Sequence, residues 1–554
     1  MLALIAFLPI LIVGVLMAAR DWPATKAMPV GYVLALIIAG TLWNMPPKWM
    51  VSATIAGAIN ALDILFIVFG ALLILGTLTA SGGIDGISHS LAHVSKDRRI
   101  QALLIGFLMG AFVEGAAGFG TPAAVAAPLL VGVGFPPLVA AMIALIGNST
   151  PVPFGAVGTP IVGGFSHLEG LLEMHNYPYG LYEFLKSIGA FTGILKLLVG
   201  SFMPLAMVCA MTLLMDKSIR KGLEVWKLAL FGGFVFTIPQ SIIANFVGPE
   251  VPSLVGALIG IPIFVIAVRK GLFVPKETWD FKPQDQWEDD WEGNIKAGTT
   301  DEIAATAEIM SPVRAWAPYV IIGLLLVLTR LKWLPFQAMV TKWTIAWNDI
   351  LGTTISRGIT PLNNPGIFPF MFVALLIPFM HGLDRKKANR VWKDTVVQIG
   401  PTAIALFFAL GLTYVMMNSG EAHGADSMLI VIAKALARLA GKSWYIFAPV
   451  VGVLGAFISG SNTVSDIMFG PLQFDVAIET GLPVIPVLAL QALGGAAGNM
   501  ICVHNVVAAL TTVGLVGSEG KVIKNNVGIS LGYAMIAGVV AMLLINVFGF
   551  TFPI

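Results

Sequence analysis

The sequence predicts an all-α polytopic membrane protein with about 12 transmembrane helices, together with broken or re-entrant segments, in two inverted-topology repeats. The composition, a series of apolar stretches and a motif that recurs in both halves predict this fold class. Hydrophobic residues make up 57% of the 554 residues, charged residues only 11%, and the mean hydropathy is +0.88. Soluble domains carry roughly 25% charged residues. The composition therefore excludes soluble enzymes, nucleic-acid-binding proteins and disordered chains, and it indicates a lipid bilayer as partner.

The apolar stretches have the length of membrane spans, which need about 20 residues each. The candidates lie near residues 2–19, 28–45, 56–80, 101–113, 123–146, 188–214, 226–247, 253–269, 315–331, 366–382, 396–416, 443–458, 482–500 and 527–549. Basic loops favour the cytoplasmic side. The clusters of Lys and Arg at 20–26, 96–99, 217–221, 269–276 and 385–393 thus predict an N-terminus outside a bacterial inner membrane.

A motif recurs in the two halves of the chain. Residues 110–115 read GAFVEG and residues 455–460 read GAFISG, and Gly147-Asn148 recurs at Gly498-Asn499. Under the predicted orientation, the regions that precede the two motifs lie on opposite sides of the membrane. An inverted repeat accounts for both observations, and many secondary transporters have this architecture.

The predicted domain division follows from one segment that breaks the membrane composition. Residues 276–302 carry nine acidic residues and three tryptophans, with no run long enough to span. We therefore expect a first membrane repeat at 1–275, an acidic cytoplasmic connector at 276–312 and a second membrane repeat at 313–554. The connector is interpreted as a solvated loop, with a docking role as the alternative.

Glycine and proline interrupt apolar sequence in both halves, at 115–160 and at 459–505. Backbone freed from helix at membrane depth must face protein or a water-filled cavity. The N–H groups and the helix N-termini exposed there favour a small anion. The predicted substrate-binding residues are Gly118, Gly120, Thr121, Asn148, Ser149 and Thr150 in the first interruption, and Ser461, Asn462, Thr463, Asn499 and His504 in the second.

Few ionisable residues lie inside apolar segments, and each is a functional candidate because burying a charge there is costly. Glu114 stands at the start of the first interruption and Asp466 in the second. We expect one of them to bind and release a coupled proton. Asp63 and Lys196 lie in unbroken segments, where packing or reaching to the membrane surface is the expectation.

Sequence patterns of catalytic or nucleotide-binding machinery are absent. The chain contains no Gly-rich loop ending in Lys-Ser or Lys-Thr, and no metal-ligand spacing of His and Cys. We therefore expect no enzymatic activity, no cofactor and no metal site. The energy for transport is expected to come from an ion gradient.

Three runs of this sequence resemble the bacterial L-lactate permease family: EGAAGFG at 114–120, NSTPVPFGAVGTPI at 148–161 and NFVGPEVP at 245–252. The resemblance covers nearly the whole chain. It implies a lactate:proton symporter with about a dozen spans in two inverted repeats, which also accepts glycolate or related 2-hydroxymonocarboxylates such as D-lactate. Residues 460–466 read GSNTVSD where the family pattern is close to GSDTSSN, so the carboxylate stands four residues later.

Two other functions stay open at this point. Unwound carbonyls with Asn, Ser and Thr groups also suit sodium, so a sodium-coupled carrier of another small organic anion is the first alternative. A passive anion channel, or a membrane-embedded enzyme on a lipid-borne acid, is more remote. The sequence does not decide the preferred 2-hydroxy acid, the coupling ion or the oligomeric state.

Overall fold

The computed structural model describes residues 2–20, 22–92, 94–118, 120–288, 291, 310–330, 334–515 and 518–552. Within these residues the protein consists almost entirely of helices. Ten of the described helices are long and apolar enough to cross a membrane, or eleven if one strongly bent pair counts as a single span. This architecture confirms the predicted all-α polytopic membrane fold, whereas the number of about 12 helices stays a prediction.

In the first half, every regular element that the structure describes is a helix or a helical turn. Its helices are Leu2–Arg20, Ala24–Thr41, Pro47–Ala80, Gly83–Ala92, Arg98–Gln101 continued by a π-helical stretch Ala102–Met109 and by Gly110–Ala116, Thr121–Gly132, Pro137–Asn148, Gly155–Phe165, Glu169–Met174, Leu181–Leu198, Met203–Asp216, Ile219–Leu223, Trp226–Phe246 and Pro252–Arg269, with short 3-10 turns at Val152–Phe154, Ser166–Leu168 and Gly200–Phe202.

The second half adds a small β-hairpin to its helices. The elements are the helices Pro312–Arg330, Pro335–Thr341, Phe372–His381, Arg385–Met417, Met428–Ala440, Trp444–Ser459, Asn462–Thr480, Val484–Gly498, Val503–Thr512 and Glu519–Asn546, a π-helical turn Gly366–Met371, and the antiparallel strands Ile345–Trp347 and Arg357–Ile359. The prediction of helices alone missed this hairpin, because strands of three residues are too short to show an alternating pattern.

Two helical hairpins enclose the predicted interruptions. In the first hairpin, Arg98–Ala116 turns back into Thr121–Gly132, and its open end is closed by Arg98, which donates to the carbonyl of Val133. Gly118 and Gly120 take positive φ angles of 58° and 77° at the tip, a conformation that favours glycine. The tip is therefore a sharp turn inside the protein.

The second hairpin has the same form. Trp444–Ser459 turns back into Asn462–Thr480, with Gly460 at a φ of 75° at the tip. Near the open end, the indole N–H of Trp444 donates to Gln473 at 2.7 Å. The Ser461 hydroxyl accepts from the N–H of Val464 and so starts the returning helix.

A broken helix follows each hairpin. The first broken helix is Pro137–Asn148 with Gly155–Phe165, and the chain bends by 67° between Pro137–Asn148 and the longer stretch Val152–Met174 that contains Gly155–Phe165. Ala156, Val157 and Gly158 have positive φ angles there, which is strained for a β-branched valine. The second broken helix is Val484–Gly498 with Val503–Thr512.

Each broken helix packs against the hairpin of the other half. Gly164 in the first broken helix lies against Asp466 of the second hairpin, where an added β-carbon would be 2.7 Å from the Asp466 β-carbon. Gly120 at the first hairpin tip lies against Asn505 of the second broken helix. These reciprocal contacts are what an inverted repeat requires. The repeat itself stays a prediction.

The hairpins and broken helices also form the most buried part of the molecule. Arg98–Ala116 and Val484–Thr512 are buried along their whole apolar length, whereas Ala24–Thr41 and Glu519–Asn546 are only about one-third buried. In a membrane protein the exposed apolar faces meet lipid. The four interrupted elements therefore lie in the core and the longer helices surround them.

The described start of the predicted connector closes the open end of the first hairpin. The Trp279 N–H donates to Asp97 at 3.1 Å, and its indole N–H donates to Asp216 at 2.9 Å. Arg98 forms an ion pair with Asp280 at 2.8 Å. Residues 289–290 and 292–309 lie outside the described residues, so the predicted connector at 276–312 and the domain boundaries stay predictions.

Arg99 holds this closed end together, and its loss should destabilise the protein. Its guanidinium is fully buried and binds Asp97 and Glu224, each at 2.8 Å. Removing one partner of a buried ion pair costs about 3–5 kcal/mol. We expect Arg99→Ala to lower the melting temperature of the detergent-solubilised protein markedly, whereas Arg220→Ala, at an exposed position, leaves it unchanged. Equal melting temperatures would contradict this role.

Candidate functional site

A cavity of about 460 Å³ lies where the two hairpin tips meet the two breaks; we call it the central cavity. Both halves line it. The lining residues of the first half include Glu114, Gly118, Gly120, Gly155, Ala156 and Thr159, and those of the second half include Ser459, Gly460, Ser461, Asn462, Thr463, Asn499, His504 and Asn505. Residues 22–25, at the start of the second helix, also line it. The structure thus brings the two predicted interruptions together around one space.

Four helices begin at the central cavity. Their regular turns start at Thr121, at Thr159 after the three residues with positive φ, at Asn462 and at Val503, and each start or its immediate neighbour lines the cavity. Helix N-termini carry unpaired N–H groups and a partial positive charge. None of the described lining residues is Lys or Arg, so the backbone N–H groups are the main source of positive potential there. This arrangement suits a small carboxylate.

Among the described residues, Glu114 is the only one with an acidic side chain that lines the central cavity. It is 3% exposed, and its Oε2 accepts from Asn148 Nδ2 at 2.9 Å. Its Oε1 lies over Gly155, where a β-carbon would collide with it. None of the described residues forms an ion pair with Glu114. A buried carboxyl group without a cationic partner is well suited to take up a proton.

Two asparagines of the second half line the central cavity and have side chains with unused hydrogen-bonding capacity. Neither side-chain polar atom of Asn462 has a partner among the described residues, and the side chain is 2% exposed. The Oδ1 of Asn499 is likewise buried without a partner in the described part of the chain. Buried polar groups are nearly always hydrogen-bonded. Such atoms at a cavity wall therefore indicate a bound ligand or water. His504, which packs against Gly460, is exposed to the same space.

Five predicted site residues do not line the central cavity: Thr121, Asn148, Ser149, Thr150 and Asp466. Asn148 acts through its hydrogen bond to Glu114. The Ser149 hydroxyl donates to the carbonyl of Ile146, and the Thr150 hydroxyl donates to that of Gly200. Asp466 lies one helical turn behind Asn462 and accepts from Gln491 at 3.3 Å.

Lys196, for which the sequence predicts packing or reaching to the membrane surface, packs inside the protein. Lys196 is fully buried, and its ammonium donates to the carbonyl of Ser149 at 3.0 Å and to the Tyr533 hydroxyl at 2.9 Å. Lys196 thereby connects the first helix break, at Ser149, to the last helix, Glu519–Asn546. A basic residue in the middle of an apolar helix was the signal that could have revealed it.

Tyr533→Phe should destabilise the protein, because the buried Lys196 ammonium would keep only one acceptor. An unpaired buried donor costs about 1–3 kcal/mol. The matched control is Tyr445→Phe, since the Tyr445 hydroxyl is buried without a partner among the described residues. We expect a lower melting temperature for Tyr533→Phe only. If both variants melt with the wild type, the Lys196 contact adds no stability.

A family model described as L-lactate permease matches residues 2–548. The chain belongs to the L-lactate permease family. This confirms the family predicted from the EGAAGFG run and its companions. It also places the chain among permeases and not among enzymes.

The permease is similar to curated proteins over its whole length. It is 32% identical to a putative L-lactate permease of Haemophilus influenzae, covering 98% of this chain and 99% of that protein. It is 29% identical to the glycolate permease GlcA of Escherichia coli, covering 99% and 96%. Among solved structures, it is similar to MtrF of Neisseria gonorrhoeae at a TM-score of 0.49 and 13% identity, covering 91% of this chain and 85% of that one.

Proposed function

We propose that this permease carries L-lactate and related 2-hydroxymonocarboxylates, such as glycolate and D-lactate, together with a proton through alternating access. One observation carries the proposal. The central cavity combines four helix starts and unpartnered carboxamides with the buried carboxyl group of Glu114. The names of the relatives support lactate and glycolate as the substrate class.

The substrate carboxylate would bind at the helix starts, where the unpaired N–H groups face it. The carboxamides of Asn462 and Asn499 both donate and accept, so they suit the 2-hydroxyl group as well as the carboxylate. Ser461 and Thr463 supply hydroxyl groups, and His504 can donate as well. A monocarboxylate thus finds donors from both halves of the protein.

Glu114 would carry the coupled proton, with Asn148 holding the carboxyl group in place. A substrate anion and a deprotonated Glu114 repel each other in a poorly solvated site. Protonation removes this repulsion and leaves the loaded cavity with one net negative charge fewer. The loaded carrier then moves through the low-dielectric barrier at a lower cost, which couples the two fluxes.

We further propose that the protein lies in a bacterial inner membrane with its N-terminus outside, as the basic loops indicate. Residues 1–275 and 313–554 would form the two inverted repeats, joined by the acidic connector in the cytoplasm. The two halves would then expose the central cavity to each side in turn. This topology can be tested with single cysteines labelled from one side of intact cells.

Counterflow of labelled L-lactate in proteoliposomes tests the substrate class. Glycolate and D-lactate should compete, whereas dicarboxylates should not, and the rate should respond to pH. Uptake driven by a proton gradient but not by a sodium gradient supports the proton symport. Uptake driven by sodium alone would overturn it, and current without saturable counterflow would indicate a passive channel.

A sodium-coupled carrier of another small organic anion is the second candidate, favoured by one observation. The side-chain oxygens of Asn462 and Asn499 have no partner among the described residues, and Glu114 offers a carboxylate. Oxygen atoms of this kind also bind sodium. The comparison of sodium and proton gradients decides between the two candidates.

A further inference from the structure

A second and larger cavity of about 840 Å³ lies under the β-hairpin; we call it the acidic chamber. Its charged lining residues are Asp63, Glu169, Glu173, Glu250, Glu421 and Arg357. Five carboxyl groups against one guanidinium favour cations and disfavour anions. Among the described residues, no three His, Cys, Asp or Glu side chains lie close enough together to hold a metal ion.

His167 lies in the wall of the acidic chamber and is only 1% exposed. Neither of its ring nitrogens has a hydrogen-bond partner among the described residues. The titratable and charged groups that face it are Arg357 on the β-hairpin, which donates to the carbonyl of neighbouring Ser166 at 3.0 Å, and Tyr414, whose ring centroid lies at 6.4 Å. Arg357 in turn pairs with Glu169 at 3.0 Å.

Asp466 lies between His167 and the central cavity. The segment after the first break and the helix Asn462–Thr480 run side by side, with Gly164 against Asp466 and His167 against Gly470. Asp466 and Gly470 are four residues apart, which is about 6 Å along one face of a helix. Asp466 is fully buried, and its Oδ2 has no partner in the described part of the chain.

Asn462 extends the same helix face by one more turn and lines the central cavity. Three polar side chains with unpartnered atoms, His167, Asp466 and Asn462, therefore follow one another from the acidic chamber to the central cavity. Structural reasons alone would favour apolar residues at such buried positions, because unpaired polar groups are costly there.

We propose that His167 and Asp466 form a proton-transfer path from the acidic chamber to Glu114 in the central cavity. This rests on the proposed function. His167 accepts a proton from a water molecule on one ring nitrogen and releases the proton of the other nitrogen to the Asp466 carboxylate, and a flip of the ring restores the starting form. Asp466 passes its proton to a second water molecule, which carries it past Asn462 to the Glu114 carboxylate, because a carboxamide cannot transfer a proton. No other bond changes.

The direction of this path agrees with the proposed topology. The β-hairpin that covers the acidic chamber contacts the start of helix Pro47–Ala80, where Ser52 donates to the carbonyl of Ile350 at 2.9 Å. With the N-terminus outside, this end of the helix faces the exterior. Protons would then be taken up from the side on which a respiring bacterium accumulates them.

The test is His167→Gln in proteoliposomes, with proton movement and labelled lactate counterflow measured separately. Glutamine keeps hydrogen bonding but cannot transfer a proton. We expect lactate-driven proton movement to slow by about 10²-fold, while counterflow at equal pH stays within about twofold of the wild type. His175→Gln, at an exposed position outside the chamber lining, is the matched control and should change neither rate.

Wild-type proton movement in His167→Gln would overturn the path and leave the proposed symport standing. A wild type without lactate-driven proton movement would instead overturn the symport, and the path with it. If His167→Gln loses counterflow as well, the variant Asp466→Asn tests the path instead. Its carboxamide can still form a hydrogen bond with Gln491, so the local structure should be preserved. Selective loss of proton movement in Asp466→Asn supports the path, and unchanged proton movement overturns it.

Discussion

Glu114→Gln should abolish uphill accumulation of lactate while exchange of lactate across the membrane remains measurable. Glutamine has nearly the shape of glutamic acid and can keep a hydrogen bond to Asn148, so the cavity wall should be preserved. It cannot release a proton, and the substrate flux then loses its link to the proton gradient. We expect accumulation against the gradient to fall to the equilibrium level, measured as labelled lactate retained in energised proteoliposomes.

The matched control for Glu114→Gln is Asp475→Asn. Asp475 is a buried carboxyl group of the second hairpin that lines neither cavity. If burial of a carboxyl group were enough for coupling, both variants would lose accumulation. We expect only Glu114→Gln to do so. Full proton-driven uptake by Glu114→Gln would remove this residue from the mechanism.

The helical fold and its interruptions could be predicted from sequence because the bilayer leaves few alternatives. Apolar stretches of span length must be helical, and glycine and proline at membrane depth must mark breaks that face protein or water. The runs GAAGFGTP and GSNT accordingly lie at the two hairpin tips. The β-hairpin near Arg357 escaped prediction because its pairing depends on residues ten or more positions apart and on no repeating pattern.

The orientation of single side chains could not be predicted in the same way. Ser149 and Thr150 follow Asn148 directly, yet they turn towards Ile146 and Gly200 and away from the central cavity. The 67° bend decides which face of the chain meets the cavity, and a bend angle leaves no trace in composition. The role of Gly155 could not be predicted for a similar reason. Its missing side chain makes room for the Glu114 carboxyl group, which only the bend brings close to it.

The acidic chamber was out of reach for another reason. His167, Arg357 and Tyr414 come from segments separated by more than 50 residues, and only the packed fold brings them together. Asp466 stood out in the sequence as a carboxylate in an apolar segment. Its position behind Asn462, and not on the cavity surface, changes its proposed role from storing a proton to passing one on.

Asn462→Ala should impair substrate binding severely without destabilising the protein. The Asn462 carboxamide has no partner among the described residues, so its removal leaves no group unpaired, and truncating such a side chain costs little or even stabilises. Two lost hydrogen bonds to a charged substrate correspond to about 3 kcal/mol, or about 10²-fold in affinity. We expect the lactate concentration for half-maximal counterflow to rise by that factor while the melting temperature stays constant or increases.

Asn526→Ala separates this effect from the general loss of a buried asparagine. Asn526 is fully buried on the last helix and also has an unpartnered Oδ1 in the described structure, but it lies outside the lining of the central cavity and donates to Met500 at 3.1 Å. Its loss should leave half-maximal counterflow unchanged and lower the melting temperature slightly. Weaker lactate binding only in Asn462→Ala, together with a lower melting temperature only in Asn526→Ala, would follow only if the unpaired polar atoms of Asn462 bind the substrate. If Asn462→Ala and Asn526→Ala bind lactate with equal affinity, the substrate binds elsewhere in the cavity.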